Sequence, residues 1–219
     1  MKQTHGYVFL EEGILLDILT PMWEDYSQQD MNKLSDEITL YHTGYDEIRK
    51  PDVHYGRMNA DFGQGFYTTA DSDFSLRWAR EKKGSDTIVN QYVLHSAGLT
   101  IQYFKRNQQW FDYIYSNRNR MPDLYPDADV IVGPIANDTI FDTMGVITSG
   151  MLSREDSLKL LLAGPEYSQA VLKSEKAVSQ LDWICSRVLS GAELEQYKPL
   201  VAAEEERYLN EFAETMKNL

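Results

Sequence analysis

An α+β fold is what this sequence predicts, and three observations predict it. Short runs of β-branched or alternating apolar residues recur along the chain, as at 38–43, 87–95 and Val130-Ile131-Val132. Between them lie stretches whose apolar residues return at helical spacing, such as Tyr208, Phe212 and Met216. The two kinds of element follow no regular strand–helix repeat, so a doubly wound parallel sheet is not expected. No strand runs through a glycine fingerprint into a helix, and no phosphate-loop lysine, paired-histidine zinc motif or serine elbow occurs.

In chain order, residues 1–37 read as an N-terminal helical extension. Ile14, Leu15, Ile18, Leu19, Met22, Trp23 and Tyr26 recur at helical spacing, and Pro21 marks a kink. Residues 38–43 read as the first strand, followed by a long polar loop from Tyr45 to Ala60. A loop of that length in a domain is often functional, but His54 within it has no partner in the pattern and reads as a surface histidine. A short strand is expected at 65–69, then a helix capped by Asp71 or Ser72 and closed by Lys82-Lys83-Gly84. Phe74 and Trp78 stand one turn apart on it and read as core residues.

Strands are expected next at 87–95 and 99–104, with His95 as a satisfied structural histidine at the end of the first. A helix follows at 107–119, then a buried strand at 129–133 that Gly133-Pro134 terminates. Helices are expected at 137–150 and 153–163, the second opened by Ser153 with Asp156 three residues on. Gly164-Pro165 breaks the chain before a strand at 168–173, a short helix capped by Ser174 before Glu175, and a last strand at 181–188. From Gly191 the tail is acidic and helical, with Pro199 expected to divide it in two. The organisation is thus an extension at 1–37, a main domain at 38–189 and a helical tail at 190–219.

The 219 residues include 42% hydrophobic ones, enough for a substantial core, and the net charge is −13. So acidic a chain repels phosphate backbones, which argues against general nucleic-acid binding. The lone Cys185 lies in the apolar run Trp183-Ile184-Cys185 and reads as a buried small hydrophobe, with no disulfide and no zinc site. Tyr7 to Leu10 is apolar but ends at Glu11-Glu12, so no signal peptide and no bilayer-spanning run is expected. The expected location is cytoplasmic, with secretion as an effector by a route lacking a signal peptide as the alternative.

The stretch that organises the chain is Asp61-Phe62-Gly63-Gln64-Gly65-Phe66-Tyr67-Thr68-Thr69. Gly63 and Gly65 permit a sharp turn or a close approach of backbone to a ligand. Tyr67 directly after such a turn can present its ring to that ligand. Upstream, the strand ending in Tyr41-His42-Thr43-Gly44 belongs to the same expected sheet, so His42 and Tyr67 are expected to line one cleft.

These two motifs, followed by Asp129-Val130-Ile131-Val132-Gly133-Pro134-Ile135-Ala136-Asn137-Asp138 and Tyr167-Ser168-Gln169-Ala170-Val171-Leu172-Lys173-Ser174-Glu175, resemble a bacterial family of unknown function within the ADP-ribosyltransferase-like superfamily. The resemblance covers roughly residues 38 to 189. It implies a split antiparallel β-sheet core with NAD, as substrate, in the cleft between the halves. His42 would bond a ribose, and the backbone at Thr43 and Gly44 would hold the nicotinamide amide, although the superfamily usually has glycine where Thr43 stands. Tyr67 would stack on the nicotinamide ring, with Gly65 beside it. The third position, commonly glutamate, falls on Gln169, with Glu175 as the alternative.

Glutamine is the main departure. Transfer breaks the bond to nicotinamide and builds oxocarbenium character on the ribose, which a carboxylate stabilises electrostatically. Glutamine donates and accepts hydrogen bonds but carries no charge. Three expectations follow: a toxin-like or effector NAD-dependent mono-ADP-ribosyltransferase acting on a macromolecular acceptor, an NAD-binding regulatory module without turnover, or an interaction protein whose acidic helical tail and N-terminal helix dock a partner.

Overall fold

The computed structural model describes residues 36–77, 79–140 and 150–219. All but the last two residues of the expected N-terminal extension lie outside them, as do Trp78 and most of the helix expected at 137–150. The described chain is α+β, with two sheets. One is antiparallel in the order β1 (Glu37–Gly44), β3 (Ile88–His95), β7 (Leu181–Val188). The other runs β2 (Phe66–Thr68), β6 (Ser168–Leu172), β5 (Val130–Pro134), β4 (Ile101–Tyr103). It is mixed rather than antiparallel, because β4 and β5 pair in parallel. That pairing is reached through α2 (Gln108–Arg118), a crossover of the kind parallel strands require. The remaining helices among the described residues are α1 (Ser72–Arg77), α3 (Asn137–Ile140), α4 (Arg154–Leu161), α5 (Glu175–Ser179) and α6 (Gly191–Lys217).

Strand alternation sorts the core into two layers. Leu40, Tyr92 and Leu94 of the first sheet meet Phe66, Val130, Ala170 and Leu172 of the second, with Ala177 and Val178 of α5 closing that layer. On the other face of the second sheet, Ile131 and Val171 pack with Phe62, Trp110, Phe111, Tyr113 and Ile114. Phe66 and Tyr67 therefore face opposite layers.

Several expectations need correcting. α1 ends at Arg77, not at Gly84, because Lys82 and Ser85 form a turn in which Gly84 takes φ +79°. Pro199 does not divide α6, which runs unbroken from Gly191. The proline removes one backbone donor on an exposed part of the helix, so the missing bond leaves no buried polar group. A capping box at Ser190 and Glu193 holds the start of that helix. Cys185 is exposed rather than buried, since β7 is an edge strand and Cys185 lies on its solvent side opposite Gln91.

The helical tail packs on its own domain along a narrow stripe. Tyr208 is buried against Ala163 and Phe212, Glu211 accepts from the Gly164 N–H at 2.9 Å, and Glu204 binds both Arg77 and the Tyr167 hydroxyl. Among the described residues no helix is long and apolar enough to cross a membrane.

Candidate functional site

The site begins where the two sheets join and then part. Tyr41 and Thr69 form an antiparallel bridge, with the Tyr41 N–H donating to Thr69 O at 2.8 Å and the Thr69 N–H to Tyr41 O at 3.0 Å. Continued by two residues, that register would place Thr43 opposite Tyr67, with the Thr43 N–H on the Tyr67 carbonyl. The chain does otherwise. His42 Nδ1 lies 2.8 Å from Tyr67 O and takes that carbonyl itself. The imidazole thus replaces a ladder bond, and β1 and β2 separate beyond it. Because N–H and C=O groups of alternate residues share an edge, Thr43 turns both of its backbone groups toward the gap, as Tyr41 turns its own toward Thr69. The Thr43 hydroxyl is turned aside onto α1, donating to Ser75 O at 2.7 Å.

A carbonyl only accepts, so Nδ1 carries the proton and Nε2 of the neutral ring is left as an acceptor. Burial pushes the imidazole below its usual pKa, the bond to Tyr67 O only partly opposing it, which favours the neutral form. Nε2 meets no hydrogen-bond partner among the described residues. Gly44 keeps it clear, since a Cβ there would sit 3.2 Å from Nε2. The ring itself packs on Phe66 with centroids 4.7 Å apart.

The expectation that the two segments are strands of one sheet, with His42 and Tyr67 lining one cleft, is therefore corrected: β1 and β2 belong to different sheets joined by the Tyr41–Thr69 bridge. His42 lies on the Phe66 side of β2 and the Tyr67 ring on the other, and they meet through the Tyr67 carbonyl. The half-buried phenol shares its face with Gln169 and Val171 of the neighbouring strand, Tyr67 being paired with Val171. Its hydroxyl is fully engaged, donating to Gly63 O at 2.7 Å and accepting from the Phe62 N–H at 3.0 Å. Burial, with Asp61 adding to it, raises the phenol's pKa and keeps it protonated.

Gln169 is 7% exposed, and its Nε2 is buried with no hydrogen-bond partner among the described residues. A buried amide donor left unpaired is costly, so it marks a place where a ligand acceptor would be welcome. Glu175, the alternative, is not brought to this face. It is exposed at the start of α5, past the far end of β6, with Ser174 capping the helix as expected. The two central glycines have different reasons. Gly63 makes the turn at φ +71°. Gly65 faces β6, where a Cβ would lie 2.6 Å from Val171 Cγ1 and 2.7 Å from Leu172 O, so it serves strand packing and not ligand approach. His54 is exposed, as expected, and His95 is satisfied by Asp182 at 2.9 Å, away from the gap.

Residues that carried no expected role hold the turn from behind. Arg118 on α2 bonds Asp61 Oδ1 at 2.7 Å and Asp138 Oδ2 at 2.7 Å, all three side chains being nearly inaccessible. Asn117 Nδ2 donates to Asp61 O, and Lys173 Nζ to Phe62 O. Burial lowers the Lys173 pKa, with Asp123 at 3.2 Å opposing that fall. Nothing in the periodicity of α2 distinguishes Arg118 from any polar residue at a helix end. An open cleft of about 440 Å³ lies elsewhere, between the turn at Lys82–Ser85 and Leu189 and Leu194, and touches none of these groups. Among the described residues no group of three His, Cys, Asp or Glu could hold a metal ion.

Residues 38–183, roughly two thirds of the chain, match the model of a family described as "Protein of unknown function (DUF3990)". The chain belongs to this family. The DUF3990 match runs from β1 into β7, so it spans His42, Tyr67 and Gln169 and leaves α6 outside. No curated protein and no solved structure matches the chain.

Proposed function

We propose that the gap between β1 and β2 binds NAD by its nicotinamide end and that the protein is an ADP-ribosyltransferase-like enzyme with a macromolecular acceptor. The observation that carries this reading is the displaced ladder bond at His42. It leaves a peptide N–H and C=O of Thr43 side by side on an open edge, and a primary carboxamide offers the matching acceptor and donor. Neutral His42 would accept from a ribose hydroxyl through Nε2. The Tyr67 ring, fixed through its hydroxyl on the face of β2 away from the imidazole, would meet the nicotinamide from that opposite side of the gap. The unpaired Gln169 amide would reach the nicotinamide ribose. The motif-level resemblance of the sequence to that superfamily supports the assignment by analogy.

The neutral, buried Gln169 favours a second reading in which NAD is held without turnover. No charge at that position would stabilise a developing oxocarbenium ion. Incubation with NAD labelled in its adenylate half, followed by measurement of free nicotinamide and of label on protein or nucleic-acid acceptors, separates the two. Release with transfer supports the enzyme. Binding without release supports the module, and Gln169→Glu is then expected to start nicotinamide release. No binding at all removes both.

A further inference from the structure

We infer that Arg118 is a positioning residue for the Tyr67 ring, acting through the turn at Asp61–Gly63; the inference rests on the proposed NAD site. The turn carries the two atoms that orient the phenol, Gly63 O and the Phe62 N–H. Tyr67 is held by that turn on one side and by β6 on the other. The turn in turn is tied at each of its residues. Gly63 N–H donates to Ala60 O at 2.9 Å, the Asp61 carbonyl accepts from Asn117 and the Phe62 carbonyl from Lys173. Lys173 also ties the turn to Asp123, but it is the Asp61 carboxylate that a guanidinium joins to a second helix. Arg118 Nε and Nη2 both bond Asp61 Oδ1, at 3.0 and 2.7 Å, while Nη1 and Nη2 bond the two oxygens of Asp138 in α3 at 2.7 and 2.9 Å. Asp61 Oδ2 receives the Ala136 N–H at 3.3 Å.

A planar guanidinium can hold two carboxylates in fixed directions; an ammonium cannot. Burial opposes the charge of Arg118, yet Asp61 and Asp138 outweigh it, so the ion persists at every accessible pH. The bridge therefore fixes where the glycine turn stands relative to α2 and α3 before any ligand arrives. Removing its geometry while keeping its charge would let the turn, and the ring hung from it, wander. Affinity that depends on a pre-set ring would fall with it.

The test compares full-length wild type with Arg118→Lys and Asp61→Asn, each checked for folding by circular dichroism. NAD affinity is read by titration calorimetry at 10 °C, well below unfolding, so that a loss of stability alone does not move it. Lys217→Met, which removes an exposed ion pair with Glu214 at the far end of α6, is the control. The expected result is a tenfold or larger rise in Kd for both turn variants and none for the control. A folded Arg118→Lys with a Kd within twofold of wild type overturns the inference. Hydrogen exchange on the wild type decides the matter even if neither variant folds. The Phe62 and Gly63 amides must be protected without NAD and unchanged by it; amides that become protected only with NAD overturn the inference. Wild type that binds no NAD sinks the proposed site, while protection of the turn is still read independently.

Discussion

His42 Nδ1 sits 2.8 Å from the carbonyl of Tyr67, in the place a strand N–H would occupy had the two sheets stayed zipped. That one contact fixes the tautomer of the imidazole, opens the gap and exposes the edge of Thr43. Its titration is measurable. The ring's pKa is lowered from 6.5 by burial in the folded chain. Above that value the imidazole is neutral in both states and contributes no pH dependence. Below it the unfolded chain takes up a proton that the folded chain resists, so stability is lost as pH falls from 6.5 toward the lowered value. Urea midpoints at pH 8, 7, 6 and 5 should show wild type losing ground against His42→Gln only below pH 6.5; parallel curves would contradict this.

Gly44 should matter to the ligand more than to the fold. A methyl group there meets only the imidazole edge, 3.2 Å from Nε2 and 3.7 Å from Cδ2. Gly44→Ala is expected to weaken NAD binding several-fold while stability from urea unfolding changes by no more than about 0.5 kcal/mol, the range of ordinary surface changes. A variant that binds as well as wild type would show that Nε2 is not used.

Gly65 should behave oppositely. A Cβ there meets a backbone oxygen and Val171 in the centre of the sheet, and overpacking of that kind costs about 1–3 kcal/mol or more. Gly98 offers a comparison, since its Cβ meets nothing and only its φ of +75° resists alanine. That strain is worth about 1–2 kcal/mol. Denaturant unfolding of both alanine variants should rank Gly65 as the more damaging, and the reverse order would show that β2 yields.

The C-terminal helix is expected to come loose as a unit. Tyr208 is its one fully buried side chain, and truncating a buried aromatic costs about 3–5 kcal/mol when the fold must carry the loss. A terminal helix can instead undock locally. Hydrogen exchange on Tyr208→Ala should show amides across 200–217 losing protection while β3 and β6 keep theirs. Unchanged protection of the helix would mean that the Glu204 and Glu211 contacts suffice.

Most of the strands were legible because their residues are confined to one layer or two. The 181–188 strand falls where its apolar run predicts it, and 38–43 widens only to Glu37–Gly44. The caps at Ser153 and Ser174 were readable for the same local reason. What was not legible depends on contacts far apart in sequence. The parallel pairing of β4 with β5 comes from the crossover through α2, which period-2 patterns do not encode. Cys185 looks buried by its neighbours, but strand order leaves it at an edge. At the site, the residue types His42, Tyr67 and Gln169 were visible, whereas the imidazole's seizure of a carbonyl and the grip of Arg118 on Asp61 are products of register and packing.

The most direct measurement is a thermal unfolding series against NAD concentration for wild type and Tyr67→Ala. A ligand at 100 times its Kd adds about 2.7 kcal/mol, and in a chain of this size each kcal/mol moves Tm by about 2–4 °C. Wild type should rise by about 5 °C or more, in a concentration-dependent way, and Tyr67→Ala by much less. A wild-type Tm that stays put at millimolar NAD would contradict the account.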